Sequence, residues 1–181
     1  MRNYILTGTP GSGKTALISA LSVQGYPTIA EAATNVITLE HEKGVLEPWA
    51  HPSFIDKIIL LQKERQLMAA SDQAMPKFFD RSPFCTYALA IYLGYSPSEI
   101  VHQEIDRVLK GEIYEKDMFF IENLGFIKNT DARQISFAEA IKFEKIHLDT
   151  YQKFGFTCIK IRRASLEQRI QKVLTHLQKN L

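Results

Sequence analysis

The chain has very little cysteine. Cys85 and Cys158 are the only two in 181 residues, and they stand far apart in the sequence. This count excludes a small domain held together by disulfides, because such domains need several cysteine pairs. Both residues have apolar neighbours, so we expect buried free thiols rather than a disulfide.

The chain also lacks a long apolar run and a strong charge of either sign. No stretch approaches the roughly 20 apolar residues of a transmembrane helix. The first apolar run, Tyr4 to Leu6, is too short for the core of a signal peptide. A net charge of +2 gives no reason to expect a nucleic-acid or acidic-membrane partner. We therefore expect a cytoplasmic protein without a membrane span.

What the chain does contain is a complete phosphate-binding loop (Walker A motif). Its eight residues match G-x-x-x-x-G-K-[ST] at every fixed position: Gly8, Thr9, Pro10, Gly11, Ser12, Gly13, Lys14 and Thr15. Glycines at the turn positions let the backbone N–H groups approach phosphate oxygens closely. Lys14 would place a positive charge beside the terminal phosphates of ATP, and the Thr15 hydroxyl is suited to coordinate Mg²⁺.

The context of this loop agrees with its sequence. A short apolar strand precedes it, and a helix with an apolar face at Leu17, Ile18 and Leu21 follows it. A strand, a glycine loop and a helix in this order turn the helix N-terminus into an anion site.

The rest of the chain alternates strands with longer amphipathic helices. Further strands are predicted at 27–30, 78–79, 118–121 and 156–161, each followed by at least one helix. This pattern predicts a single α/β domain over 1–181, with a five-stranded, mostly parallel sheet covered by helices on both faces. Together with the phosphate loop, this pattern predicts the fold of a P-loop NTPase.

Serines predict where several helices begin. Ser53 and Ser82 are predicted N-caps, and Pro83 suits the first position of the second of these helices. Capping boxes are predicted at 96–99 and 136–139, and Ser165 with Gln168 is predicted to cap the last helix.

Charged residues follow the second and third strands, at the edge of a parallel sheet where ligands bind. Glu31 follows strand two, and Asp80 and Arg81 follow strand three. Asp80 is a candidate for holding Mg²⁺, and the planar guanidinium of Arg81 for binding a phosphate or substrate oxygen. The alternatives are structural, because carboxylates also stabilise helix N-termini through the helix dipole.

Several other side chains could contact a ligand, but a structural role explains them at least as well. Trp49, Phe84 and Tyr87 could stack on an aromatic substrate, but core packing is the better prediction for each. Three arginines after the last strand either reach the nucleotide or form a solvated helix start: Arg162, Arg163 and Arg169.

The arrangement resembles the P-loop kinases of nucleosides and nucleotides. Glu31 resembles the carboxylate that deoxynucleoside kinases use as a base, and Asp80-Arg81-Ser82 resembles their Glu-Arg-Ser or Asp-Arg motif. The irregular basic segment 122–135 is expected to be a mobile lid, and the resemblance implies that Arg133 is its lid arginine. It also implies that the strand before Asp80 lies beside the glycine-loop strand and that the strand before Glu31 lies further out.

A closer resemblance covers nearly the whole chain. The segments 26–33, 78–81 and 131–140 are similar to those of a predicted ATPase/kinase family called AAA domain proteins, which is related to the kinase domain of ribosylnicotinamide kinase and to an animal GTP-binding trafficking protein. Thr34 stands where that family usually has arginine, and Cys85 where it usually has a second aspartate. These departures imply a different acceptor or a loss of activity if the family residues touch the acceptor.

The leading hypothesis is Mg²⁺-dependent transfer of the terminal phosphate of ATP to a small hydroxyl-bearing metabolite such as a nucleoside. Its predicted catalytic residues are Lys14, Glu31, Asp80, Arg81 and Arg133, and its predicted metal ligands are Thr15 and Asp80. The alternative is a nucleotide-gated regulatory ATPase or GTPase with no small-molecule acceptor. The guanine-recognition motif Asn-Lys-x-Asp does not occur, which weakens the switch-GTPase version of that alternative.

Overall fold

A computed structural model describes residues 2–8, 11–69, 75–123 and 136–179. The strands within them are β1 (Asn3–Gly8), β2 (Thr28–Ile29), β3 (Lys77–Asp80), β4 (Asp117–Ile121) and β5 (Thr157–Ile161). The α-helices are α1 (Lys14–Val23), α2 (Ala33–Glu42), α3 (Ser53–Ala69), α4 (Pro83–Tyr92), α5 (Glu99–Lys110), α6 (Phe137–Lys153) and α7 (Leu166–Lys179), with a short 3₁₀ helix at Pro48–Ala50.

The five strands form one sheet in the order β2-β3-β1-β4-β5, and every strand pair in it is parallel. This confirms the α/β prediction. Strand β1 is central, and all six of its residues are buried. Because β3 lies beside β1 and β2 lies outside β3, residues 31 and 80 follow adjacent strands, as the resemblance implied.

Alternate residues of β1 enter two different cores. Tyr4 and Leu6 pack with the apolar faces of α1 and α7, whereas Ile5 packs with residues of α2 to α6. Successive side chains of a strand point to opposite faces, so a strand buried on both faces needs a continuous apolar run. The helix layers on both sides fix the carboxyl ends of the strands, where the candidate site lies.

Two of the predicted caps are confirmed and three are corrected. Ser136 with Glu139 forms the capping box of α6, and Ser165 with Gln168 forms the same reciprocal pair before α7. Ser98 accepts the N–H of Val101, three residues on, but position 101 has no carboxylate to complete a box. The prediction for Ser53 was wrong, because it is the first residue of α3 rather than its cap.

Ser82 has the backbone position of a cap, but its side chain does not cap the helix. Its hydroxyl instead lies 2.7 Å from the hydroxyl of Tyr151 on α6. The Ser82 hydroxyl therefore bonds to a buried side chain of another helix instead of to the backbone N–H groups at the start of α4.

The core predictions were right for most residues. Both cysteines are free, with Cys85 buried and Cys158 half-buried. Phe84 and Tyr87 pack in the core, and Trp49 packs against it. No helix in the described ranges is long and apolar enough to cross a membrane.

One large apolar residue of α3 lies at the surface. Met68 is 68% exposed, whereas Ile55 and Ile59 are buried and take the core positions. The buried face of α3 therefore includes Ile55 and Ile59 beside Phe54 and Ile58, and it leaves Met68 outside the core.

Candidate active site

The described part of the phosphate loop has the backbone that the motif requires. Gly11 and Gly13 have φ values of 82° and 73°, in the left-handed region that glycine adopts without steric cost. Gly13 is also the N-cap of α1, so the loop opens directly into the helix that begins at Lys14. Thr9 and Pro10 lie outside the described residues.

Gly8 is required by close packing at the end of β1. A Cβ at this position would lie 2.5 Å from the backbone oxygen of Ile121 and 3.0 Å from the Ser12 hydroxyl. The backbone oxygen cannot move aside without disturbing the pairing of β1 with β4.

We expect Gly8→Ala to lower the free energy of unfolding by about 1–3 kcal/mol, in the range of overpacked interiors. Urea denaturation of the nucleotide-free protein measures this. Gly44→Ala is the control, because Gly44 has a positive φ but nothing within 4 Å of a built Cβ. An equal loss in both variants would mean that backbone strain, and not the approach to β4, constrains Gly8.

Four predicted site residues form a charge cluster, defined as Lys14, Glu31, Asp80 and Arg81. Lys14 donates to Asp80 Oδ1 in an ion pair, and Arg81 Nε donates to Glu31 Oε1 at 2.7 Å. All four side chains are at most 14% exposed. The cluster therefore joins the loop, the end of β3 and the turn after β2, with two cations balancing two carboxylates.

The backbone at Arg81 is bent to make this arrangement. Its φ is 72°, an unfavourable conformation for a residue with a side chain, and its N–H donates to the Leu6 carbonyl at 2.9 Å. Strained residues of this kind concentrate at functional sites, because the surrounding structure must hold them. Because the bend comes directly after Asp80, the neighbouring side chains of Asp80 and Arg81 contact different partners, Lys14 and Glu31 respectively.

The electrostatics differ between the two cations. Burial lowers the pKa of Lys14, and the nearby charge of Arg81 lowers it further, against the opposing effect of Asp80. Burial alone would also lower the pKa of Arg81, but Glu31 and other nearby groups raise it above its ordinary value. Arg81 therefore keeps its positive charge. Burial makes the charge of Lys14 less favourable, so a bound anion would stabilise the protonated form of Lys14.

Sequence reasoning missed Arg65, which anchors the turn carrying Glu31. From α3, its Nη1 atom donates to the backbone carbonyls of Ala30 and Glu31 at 2.9 Å and 2.6 Å, and Nη2 donates to Asn35 Oδ1 at 3.1 Å. The Thr34 hydroxyl lies 3.4 Å from Glu31 Oε2. Position 34, a departure from the family pattern, thus contacts the predicted base.

A small pocket opens beside the charge cluster. Its lining residues are Ile29, Ala30, Gln62, Arg65, Phe79, Asp80, Arg81, Ser82 and Tyr114. The Gln62 side chain is oriented, because its Oε1 accepts a hydrogen bond from Thr86 at 2.9 Å. Its amide nitrogen is the end left to donate to a molecule in the pocket.

Cys85 contributes to a buried polar network rather than to this pocket. Its sulfur lies 3.0 Å from the Thr7 hydroxyl and 2.9 Å from the Tyr151 hydroxyl. Burial, followed by the neighbouring Cys85, raises the pKa of Tyr151 well above its ordinary value. The network ties β1, α4 and α6 together beneath the site, which gives position 85 a structural contact.

His147 on α6 is a fully buried histidine that is affected by the charge cluster. Its Nδ1 lies 3.1 Å from the Phe143 carbonyl, and its Nε2 has no partner among the described residues. Burial, together with the charges of Arg81 and Lys14, lowers the pKa of His147 to about 3. The folded protein therefore holds this imidazole neutral.

We expect the stability of the protein to fall as the pH drops from 7 to 5. The unfolded imidazole binds a proton near pH 6.5 and the folded one only near pH 3, so the unfolded state binds more protons in between. His147 should contribute a loss of about 2 kcal/mol over this interval. Urea denaturation at both pH values should show a smaller loss in His147→Phe than in the wild type. The exposed His102→Gln is the control, and an unchanged pH dependence in His147→Phe would contradict the assignment.

The residues present fit ATP and Mg²⁺. The left-handed glycines leave N–H groups for phosphate oxygens, and the buried Ser12 hydroxyl has no partner among the described residues. Thr15 follows Lys14 at the start of α1 and is exposed, so its hydroxyl is accessible to a metal ion. A hydroxyl and one carboxylate suit Mg²⁺, which usually takes its other ligands from phosphates and water. The lid prediction falls almost entirely outside the described residues, and Arg133 with it.

Comparison with solved structures places the fold among P-loop kinases. Thymidylate kinase from Ehrlichia chaffeensis is similar with a TM-score of 0.67 at 18% identity, covering 98% of each chain. Deoxyadenosine kinase from M. mycoides with bound dATP is similar with a TM-score of 0.65 at 13% identity, covering 98% of this chain and 100% of that one. At these identities the likeness establishes the fold.

Sequence comparison gives the family. A search of the sequences of curated proteins found no significant match. A family model described as an AAA domain matches residues 3–169, which include the phosphate loop and the whole charge cluster. The chain therefore belongs to this AAA-domain family, within the P-loop fold.

Proposed function

We propose that this protein is an ATP-dependent kinase that transfers the terminal phosphate to a hydroxyl group of a small metabolite such as a nucleoside. The observation that carries the proposal is the charge cluster. It connects the phosphate loop to the small pocket beside it, and a nucleotide switch would need only the loop.

The two cations have separate roles in this proposal. Lys14 binds the terminal phosphates, and Arg81 holds Glu31 and faces the transferred group. Phosphoryl transfer depends mainly on positioning and on stabilising charge, so a buried arginine and lysine at the point of transfer account for much of the catalysis. Arg133 is proposed as the lid arginine that adds positive charge on closure.

The two carboxylates also divide the work. Glu31, held by the pocket residue Arg81, orients the acceptor hydroxyl as general base. Asp80, which is paired with Lys14 of the loop, orders the metal together with Thr15. Mg²⁺ held there would neutralise charge on the phosphates. The Lys14–Asp80 ion pair must separate for this, because each partner then contacts a different part of the bound nucleotide.

The test is an ADP-release screen of the purified protein with ATP, Mg²⁺ and a panel of nucleosides that includes nicotinamide riboside. Thermal shift with each compound alone identifies binding without turnover. ADP release that depends on the acceptor would support a kinase. Nucleotide binding with no turnover on any acceptor would instead support the regulatory alternative.

A further inference from the structure

Arg169 is a buried cation beneath the phosphate loop. It lies in the first turn of α7, and the whole residue is 5% exposed. Its Nη2 atom donates to the backbone carbonyl of Ser12 at 2.7 Å, although 157 positions separate the two residues. By contrast, Arg162 and Arg163, which precede α7, are exposed.

The charge of Arg169 is not balanced by the protein around it. Within the described ranges no carboxylate forms an ion pair with it, and its Nε has no hydrogen-bond partner. Burial lowers the pKa of this guanidinium. An unpaired buried charge is costly, so a neutral side chain of similar length would suit the fold better unless the charge has a use.

The hydrogen bond to Ser12 also sets the direction of the loop. In a trans peptide the C=O and the following N–H point in opposite directions. Holding the Ser12 carbonyl toward Arg169 therefore turns the Gly13 N–H away from Arg169 and toward the opposite side of the loop. The neighbouring glycines do not oppose this orientation, because left-handed conformations cost them little.

We infer that Arg169 is a positioning residue of the phosphate loop, which holds the Ser12–Gly13 peptide in the phosphate-binding orientation and adds positive charge beneath the bound triphosphate. The inference rests on the proposed binding of a nucleoside triphosphate at the loop. It does not depend on transfer of a phosphate to an acceptor.

The experiment compares anion binding with the stability of the ligand-free protein. Calorimetric titration with inorganic tripolyphosphate and with ATP·Mg²⁺ gives the affinities, and urea denaturation gives the stability. We expect Arg169→Met to weaken both affinities by roughly tenfold or more, because a full charge near the anion is lost from a site of low dielectric. The stability of ligand-free Arg169→Met should be unchanged or higher than that of the wild type.

Three further variants make the result specific. Arg169→Lys keeps the charge and should recover most of the affinity. Arg169→Gln keeps an N–H donor without the charge, so it should bind more weakly than the wild type but no more weakly than Arg169→Met. Arg163→Met is the matched control, since it removes the same charge from an exposed residue of the same connection, and it should change the affinities less than about twofold because exposed charges are screened.

Several outcomes would overturn the inference. A purely structural brace would make Arg169→Met less stable while its affinity for tripolyphosphate stayed intact. Unfolding of both neutral variants without ligand would likewise show that the guanidinium serves the fold. A wild-type protein that binds neither anion would overturn it too, whereas tripolyphosphate binding without phosphotransfer would reject only the proposed kinase activity.

Discussion

Glu31→Gln should lower turnover by roughly 10²–10⁴, the usual contribution of a general base, while ATP·Mg²⁺ still binds. Glutamine keeps the shape of the side chain and can still contact Arg81, which donates to Glu31 Oε1 at 2.7 Å in the wild type. The proton acceptor is lost, but the anchoring of the turn by Arg65 to the Ala30 and Glu31 carbonyls is not. Steady-state kinetics with the acceptor found by screening, and calorimetry with ATP·Mg²⁺, measure the two quantities.

Asp80→Asn is the matched comparison, because it makes the same replacement, one carboxylate oxygen by an amide NH₂ group, in the other carboxylate of the charge cluster. We expect it to weaken the Mg²⁺ dependence of ATP binding, since Asp80 is proposed to order the metal. If Glu31→Gln disturbs Mg²⁺ dependence and Asp80→Asn removes only turnover, the two roles are reversed. If neither substitution alters an observed phosphotransfer, both assignments fail.

Lys14→Ala should reduce turnover by at least about 10², the loss typical of removing one group that stabilises the charge of a transition state. It should also weaken ATP·Mg²⁺ binding, because the positive charge beside the terminal phosphates is gone. The structure adds a consequence for stability. Lys14 is paired with a buried Asp80, so its loss leaves a carboxylate that is 10% exposed without its partner.

The double variant Lys14→Ala with Asp80→Asn separates these effects. It should recover stability lost by Lys14→Ala in urea denaturation, because the unpaired carboxylate is neutralised, but it should not recover turnover. Lys57→Ala is the control for removing a lysine from an ion pair, since Lys57 of α3 pairs with Glu40 of α2, outside the charge cluster, and is 44% exposed. Full activity in Lys14→Ala would show that the loop lysine has no part in the reaction.

Some of this structure could be read from local sequence because the causes are local. The capping box at Ser136 depends on residues three apart, and the loop depends on glycines at fixed spacing before Lys14. The alternation of apolar strands with amphipathic helices predicted a five-stranded α/β sheet for the same reason. Glu31 and Asp80 could be placed at the sheet edge because parallel strands all end on the same side.

What the sequence could not give are contacts between side chains brought together from distant positions. Arg65 reaches the Glu31 turn from 34 residues away, and Arg169 reaches Ser12 from 157. The sequence held no signal for Arg65, and for Arg169 it left a solvated helix start as likely as a contact with the nucleotide.

The sequence by itself determined that a phosphate loop precedes a helix and that carboxylates follow the neighbouring strands. Only the tertiary structure decided the partners: Lys14 with Asp80, Arg81 with Glu31, and Ser82 with Tyr151 instead of its own helix. Motif and periodicity fix conformation over a few residues, where the interactions are local. Packing of the two helix layers on the sheet fixes which of the remaining polar groups meet, because each buried group must find its partner among side chains that the fold brings within hydrogen-bonding distance.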